Sequence, residues 1–224
     1  MSSFISKILA AVCLITLALP AFPKNIKPVK KPDVPLYQGI QVGVELGGPV
    51  CQLFSDNWSH SAKMDVNLKN KYFPTIEIGQ ANIDKTGATG IRFTSSGNFA
   101  KIGVLLPLAT YGDRAENLFY IGLHYGFSSF NYNLDNLTYS GGYWGQPTVT
   151  SFANEKAFAG WYDGEVGARV KVFGPISLGW SLHYRSTIHV SNGSHSVPAY
   201  IPGYGENVQP NAAICGHLYY RLPF

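Results

Sequence analysis

Apolar and polar residues alternate along most of the chain after residue 36. In residues 61–69, for example, every second residue is apolar and the residues between are polar or charged. Alternation with a period of two is typical of a β-strand that presents two different faces. The pattern recurs in eight segments, approximately 39–49, 61–70, 75–79, 98–108, 118–130, 161–173, 176–185 and 214–224.

The eight segments predict an all-β fold, an eight-stranded antiparallel up-and-down transmembrane β-barrel whose apolar face points outward. The second face interleaves small residues with charges of both signs, which suits the interior of a narrow barrel. The alternative is a soluble lipocalin-like or sandwich fold with the apolar face inside. In the barrel we expect the inward charges to pair and to fill the lumen, because an unpaired charge would be costly there. The inward charged residues are Glu45, Lys63, Asp65, Lys69, Glu77, Lys101, Asp163, Glu165, Arg169, Lys171, Arg185 and Arg221.

The connections between the segments alternate in length. A tight turn near Tyr72 and Phe73 joins the second segment to the third, and Gly174-Pro175 joins the sixth to the seventh. The longer connections are 51–60, 81–97, 131–160 and 188–211. Outer-membrane barrels have short periplasmic turns and longer loops outside, and the predicted segments follow this rule.

The composition agrees with an apolar exterior, since 13% of the residues are charged and 14% are aromatic. Soluble domains carry about 25% charged residues. Residues 1–21 have the features of a secretory signal peptide, with Lys7 before an apolar core at 8–19 and a small-residue exit near Ala21. We predict a signal peptide at 1–21, a Pro/Lys-rich linker at 22–36 and a bacterial outer-membrane β-barrel at 37–224. The leader and linker account for the net charge of +4, so no nucleic-acid partner is expected.

The candidate catalytic residues do not form a recognisable set. His124, His183 and His217 face inward by parity, and serines such as Ser181 occur near them. No serine, histidine and acid have the spacing of a nucleophile, a base and an orienting group. No metal-ligand spacing occurs either. We therefore expect no enzyme activity, no cofactor and no metal. A proton or small-ion path is the alternative to a filled lumen.

Two cysteines, Cys51 and Cys215, remain after the predicted leader. They lie near the outer ends of the first and eighth segments, which are neighbours in a closed barrel. A disulfide between them is therefore a candidate in an oxidising compartment, where the bond requires Cα atoms within about 7 Å. Two unrelated buried thiols are the alternative.

Four stretches together resemble a family of small outer-membrane β-barrel proteins of unassigned function from Bacteroidota. They are VPLYQG at 34–39, VNLKNKYFP at 66–74, GPISLGW at 174–180 and YIPGYG at 200–205. The resemblance covers most of residues 34–224. It implies the barrel and an outer-membrane location, and it carries over no catalytic residue.

The long loops hold the best indication of function. Tyr143, Trp144, Tyr200 and Tyr204 stand among Gly and Pro, and such side chains often anchor interfaces. Packing within a loop or an aromatic girdle is the alternative. We expect a non-enzymatic structural or interaction barrel that contacts outer-membrane lipid, with an outer-membrane or periplasmic protein as candidate partner. Other candidates are an accessory subunit of an outer-membrane assembly or secretion complex, a lipid-modifying barrel enzyme and a narrow pore.

Overall fold

The computed structural model describes residues 35–48, 57–111, 115–139, 148–191, 193 and 196–223. These residues belong to one compact unit, Pro35–Phe224. Its strands are β1 (Tyr37–Glu45), β2 (Trp58–Leu68), β3 (Phe73–Thr86), β4 (Arg92–Tyr111), β5 (Asn117–Tyr139), β6 (Thr148–Phe173), β7 (Ile176–Val190), β8 (Tyr200–Ile201), β9 (Gly205–Glu206) and β10 (Asn211–Arg221). The predicted signal peptide and most of the predicted linker lie outside the described residues.

Eight of the strands form one closed antiparallel sheet, here called the ring. Each of β1 to β6 pairs with the next strand along the chain, and β10 closes the barrel by pairing with both β7 and β1. Strands β8 and β9 form a separate hairpin, residues 200–206, between β7 and β10. The prediction of an all-β protein with eight antiparallel strands is confirmed.

The strands of the ring are staggered. The stagger can be measured by following registered residue pairs around the ring from Val44 on β1. In one direction, across β2, β3, β4 and β5, the pairs lead to Gly160 on β6. In the other direction, across β10 and β7, they lead to Val170 on the same strand. The two paths reach positions ten residues apart on β6, 160 and 170, which means that the strands are inclined relative to the ring axis. An interior enclosed by eight tilted strands is just wide enough to be filled by side chains.

The connections after β2, β4 and β6 lie at one end of the ring, here called the near end. Lys69 and Asn70 in the first of them have φ angles of 53° and 55°, as a type I′ hairpin turn requires. The turn therefore comes before Tyr72 and Phe73, and β3 already starts at Phe73. Because Lys69 belongs to this turn, its side chain is exposed and its predicted inward position is wrong.

At the opposite end, here called the far end, four strands are longer than the alternation predicted. The far-end parts of β3–β6, here called the projecting wall, are residues 83–86, 92–95, 132–139 and 148–158. They extend beyond the last pair of β3 with β2, at Asn82, and the last pair of β6 with β7, at Ala159. Most of the connections predicted at 81–97 and 131–160 are therefore strand.

The outward face of the ring is apolar over its near and middle parts. Exposed side chains there include Ile102, Leu123, Val170 and Leu182, and neighbouring strands carry similar residues. Among the described residues of this band, here called the apolar belt, the outward side chains are aliphatic, aromatic or, at Met64, a thioether, with Gly and Pro between them.

The far border of the apolar belt is sharp on three adjacent strands. Ile78, Ala100 and Phe127 are registered neighbours on its last apolar row. The next outward row, one pleat further, consists of Gln80, Asn98 and Ser129. Exposed aromatic residues lie near both borders of the belt; they are Tyr37, Tyr72, Phe119, Phe173 and Tyr220 toward the near end, and Tyr125, Phe127, Phe158, Tyr162 and Tyr184 toward the far end.

The interior of the ring has three layers. A small apolar cluster near the near end contains Phe73, Leu105, Ala115, Leu118 and Tyr120. A charged layer lies in the middle. The far layer is aromatic and contains Phe93, Phe99, Phe130, Tyr132, Ala157, Ala159, Trp161, Ile201 and Tyr204.

Within the described part of the chain, no helix is long and apolar enough to cross a membrane.

Candidate functional site in the interior of the ring

Nine of the twelve charged residues predicted to face inward lie in the interior. They are Glu45, Lys63, Asp65, Glu77, Lys101, Asp163, Glu165, Arg169 and Arg185. Their strands turn alternate side chains inward, so the positions follow directly from the parity of the sequence pattern. All except Glu45 are buried, and Glu45 accepts a hydrogen bond from Ser61 Oγ over 3.1 Å.

The charged pair nearest the near end joins opposite sides of the ring. Arg169 on β6 donates to both carboxylate oxygens of Asp65 on β2, over 2.8 and 3.1 Å. It also donates to Gln41 Oε1. The guanidinium lies 3.9 Å from the centre of the Tyr219 ring, so its flat face is covered as well. The paired Nη1 and Nη2 atoms and the covered face compensate most of this buried cation, while its Nε has no hydrogen-bond partner among the described residues.

The next pair toward the far end is built in the same way. Lys63 Nζ donates to both oxygens of Glu165, over 2.9 and 2.8 Å. The Tyr120 hydroxyl donates to Glu165 Oε1 over 2.9 Å. His124 Nδ1 lies 3.6 Å from Glu165 Oε2, which is too long for a hydrogen bond. These contacts again connect β2 with β6 across the lumen.

Asp163 is the centre of the third group of charges. Its carboxylate lies 3.6 Å from Lys101 Nζ and 3.4 Å from Arg185 Nε. Lys101 also donates to Glu77 over 3.1 Å, which extends the group to β3. Two cations and two carboxylates are thus held together in the dry middle of the ring.

A serine, a histidine and an aspartate meet in this group, which the sequence reasoning missed. The Ser181 hydroxyl lies 2.9 Å from His183 Nε2, and His183 Nδ1 lies 2.9 Å from Asp163 Oδ1. Ser181 and His183 share a face of β7 by their spacing of two. Asp163 comes from β6, where it is registered with Arg185, the next inward residue after His183. Only the register of the β6–β7 hairpin reveals the third member.

This arrangement has the order of a catalytic triad but no access for a substrate. Ser181 and Asp163 are 0% exposed, and His183 is 4% exposed. A nucleophile must reach the reacting atom, and a hydroxyl enclosed on all sides cannot do so. The three side chains form a hydrogen-bonded brace between β6 and β7.

Cys215 on β10 lies opposite Ser181 in the register. Its Sγ is 3.9 Å from Arg185 Nη2, and the residue is partly buried. Cys51 lies outside the described residues. The disulfide between Cys51 and Cys215 stays a prediction.

Two further residues predicted to face inward lie at the rim of the near end. Lys171 Nζ is 2.7 Å from Glu116 Oε1 and Arg221 Nη1 is 3.3 Å from the same oxygen. The hydrogen bond from Lys171 and the two positive charges hold the pKa of Glu116 below its usual value. Lys171 is exposed at this rim, so its predicted place inside the lumen is wrong, and Arg221 lies at the opening of the lumen.

The hairpin of β8 and β9 covers the charged layer from the far end. Ile201 and Tyr204 are fully buried in the aromatic layer, and Arg185 Nη1 donates to the Tyr204 carbonyl over 2.9 Å. Gly203 has a φ of 79°, and a Cβ there would lie 2.4 Å from Phe99, so this position requires glycine.

The hairpin changes the interpretation of the predicted partner loops. Tyr204 is buried, so its side chain belongs to the interior and is not exposed to a partner, whereas Tyr200 is partly buried, packs against the aromatic layer and also borders a cleft at the far end. Tyr143 and Trp144 lie outside the described residues.

In the part of the chain that the structure describes, no group of His, Cys, Asp and Glu could hold a metal ion.

The fold and interior define an all-β protein with a closed antiparallel ring, an apolar exterior and a paired charged lumen. The chain belongs to the family described as Domain of unknown function (DUF6048), whose model matches residues 2–224. No curated protein matches the chain. Membership of a family without an assigned function agrees with the resemblance inferred from the sequence.

Proposed function

We propose that this protein is a β-barrel of a bacterial outer membrane, with a structural or interaction role and no catalytic activity. The observation that carries the proposal is the apolar belt. Residues 119–127 of β5 cross it, which corresponds to a height of about 20 Å at a strand tilt of about 40°. Outer-membrane barrels have an apolar band about 25 Å tall between two aromatic girdles. A soluble protein would expose this belt to water at a large hydrophobic cost.

The interior contacts support the proposal that the lumen is filled with side chains and closed. Its charges pair across the ring, and an apolar cluster lies on each side of them. These features argue against a narrow pore. The burial of Ser181 argues against a lipid-modifying enzyme. The predicted leader at 1–21 supports export, and strands that are apolar on their outward face support insertion in the outer membrane.

An accessory subunit of an outer-membrane complex is the second candidate. The projecting wall favours it, because outward residues such as Lys156 are exposed and polar and would stand in water beyond the lipid. Purification from detergent-solubilised membranes tests this role. Subunits that co-purify in fixed stoichiometry would support it, and isolation of the barrel alone would favour a free-standing protein.

Tryptophan quenching by lipid tests membrane insertion. Trp180 points outward from the middle of the belt and is 46% exposed, whereas Trp161 points inward and is 0% exposed. Two variants would each retain one of these tryptophans, with phenylalanine at the other three positions, Trp58 and Trp144 included. In vesicles of brominated phosphatidylcholine, the Trp180 protein should lose most of its emission and the Trp161 protein should retain most of it. Equal quenching of both, or quenching of neither in vesicle-bound folded protein, would contradict insertion.

A further inference from the structure

A cleft of about 470 Å³ opens between the projecting wall and the hairpin, beyond the far border of the apolar belt. Phe93 of β4 and Leu134 of β5 contribute apolar surface from the wall, and Ile91 contributes apolar surface from the turn just before β4. Ala199 and Val208 contribute apolar surface from the segment that carries the hairpin. A volume of this size falls in the range of small-molecule sites, about 300–1,000 Å³.

Both walls of the cleft are held in place before any ligand arrives. The projecting wall is a continuous sheet that pairs through to Thr86 and Arg92. The hairpin is fixed on its side that faces the lumen, because Ile201 and Tyr204 are buried in the aromatic layer. A preformed cleft avoids the cost of ordering its walls when a ligand binds.

The charged groups of the cleft form one pair that bridges its two sides. Lys85 Nζ of the wall lies 2.9 Å from Glu206 Oε1 of the hairpin. Their side chains are 51% and 63% exposed, so water screens the pair and it contributes little to stability. Both charges can therefore exchange partners readily. A ligand that brings a positive and a negative group side by side would satisfy both at once.

We propose that this cleft binds a zwitterionic ligand with an apolar body, of the kind that an α-amino acid head group represents. The ligand ammonium would lie against the Glu206 carboxylate, and the ligand carboxylate would lie against the Lys85 ammonium. Its apolar side chain would lie against Phe93 and Leu134. A free large apolar amino acid carries both groups on one carbon atom, whereas a short apolar peptide with free termini carries the same two groups further apart.

This inference goes beyond the proposed function, and it rests on that proposal only in placing the cleft on the water side of the membrane. Lys85 and Glu206 do not take part in the charged layer of the lumen. Membrane insertion can therefore be checked by the quenching of Trp180 before any ligand is added. Failure to bind and failure to insert are distinguishable in this way.

Calorimetric titration of the full barrel in lipid nanodiscs tests the proposal. The probes are phenylalanine and diphenylalanine, each compared with its N-acetylated form, its amidated form and the form blocked at both ends. We expect one or both free probes to bind, and blocking either terminus to weaken binding at least tenfold. The stronger of the two free probes identifies the source of the ligand.

Matched variants assign the two charges. Lys85→Gln should remove the preference for a free carboxylate and keep the preference for a free ammonium, and Glu206→Gln should do the reverse. Lys156→Gln, an exposed lysine of the wall outside the cleft, should bind as the unmodified protein does. The proposal is overturned if inserted protein binds no free probe, or if blocked probes bind as well as free ones.

Discussion

Single side chains inside the ring are arranged so that buried cations reach carboxylates on other strands. Lys63 meets Glu165, Arg169 meets Asp65, and Lys101 meets Glu77. A charge moved from water into such an interior costs several kcal/mol, and a close partner with good geometry offsets that cost. The stability of each pair therefore depends on both members being present, and the loss of one should matter more than the loss of both.

Substitution of the Lys63–Glu165 pair tests this dependence. Glu165→Leu alone leaves the Lys63 ammonium buried without a carboxylate, and we expect a loss of about 3–5 kcal/mol in the free energy of unfolding. Lys63→Met together with Glu165→Leu should lose clearly less, because both charges are removed. Urea titration of the folded barrel, followed by tryptophan emission, measures both. A double variant that is no more stable than the single one would contradict the pairing argument.

Ser181 provides a second test at the scale of a residue. Because its hydroxyl is enclosed, a fluorophosphonate probe should not label the folded protein, although Ser181 contacts His183 as a catalytic serine would. Ser181→Ala should remove one buried hydrogen bond and lower stability by about 1 kcal/mol. Labelling is read by intact-protein mass spectrometry. Covalent labelling that disappears in Ser181→Ala would establish a reactive serine and refute the structural role.

At the scale of elements, the period-two pattern predicted the strands and most of their inward faces. It failed at the far ends of β3–β6, where the outward residues change from apolar to polar, as from Phe127 to Ser129. Strand pairing continues there because the inward face remains apolar, with Phe93, Tyr132 and Leu134. A pattern that requires one apolar and one polar face finds the part of a strand within the belt and misses the part beyond it.

The side-chain contacts between strands were not predictable from alternation. The brace of Ser181, His183 and Asp163 depends on the register of one hairpin, whose turn at Gly174 is visible in the sequence. The pairs between β2 and β6 cross the lumen, and their partners depend on the stagger of the whole ring. The burial of Ile201 and Tyr204 depends on the aromatic layer, whose other members come from three strands of the ring, β4, β5 and β6.

Two arginine substitutions on the same face of β5 test the border of the apolar belt. Leu123 lies in the middle of the belt and is 61% exposed, whereas Asn131 is exposed beyond it. Leu123→Arg should cost about 2–4 kcal/mol, because the charge would face lipid at mid-depth. Asn131→Arg should change stability by less than about 0.5 kcal/mol. Heat-modifiability gels after folding into vesicles report the folded fraction, and equal losses for the two variants would contradict the belt.

The molecule as a whole combines three interior layers with a single apolar exterior. The near cluster and the far aromatic layer keep water from the charges between them, which strengthens each ion pair relative to water. The projecting wall and the hairpin then carry the surfaces that remain accessible at the far end. The lumen and the exterior thus agree with the proposed membrane barrel, and the proposed ligand cleft lies in the part beyond the belt.

The layered interior predicts a barrel that does not conduct. In planar bilayers at neutral pH, the purified protein should show no steady current, because paired charges such as Arg169 with Asp65 occupy the middle of the ring. Replacement of residues 199–206 by a short Gly-Ser linker would remove the hairpin and uncover the aromatic layer. This variant should still show no steady current, since the charged layer lies deeper than the hairpin. A stable ohmic current from the unmodified protein would refute the closed lumen, and a current from the variant alone would assign closure to the hairpin.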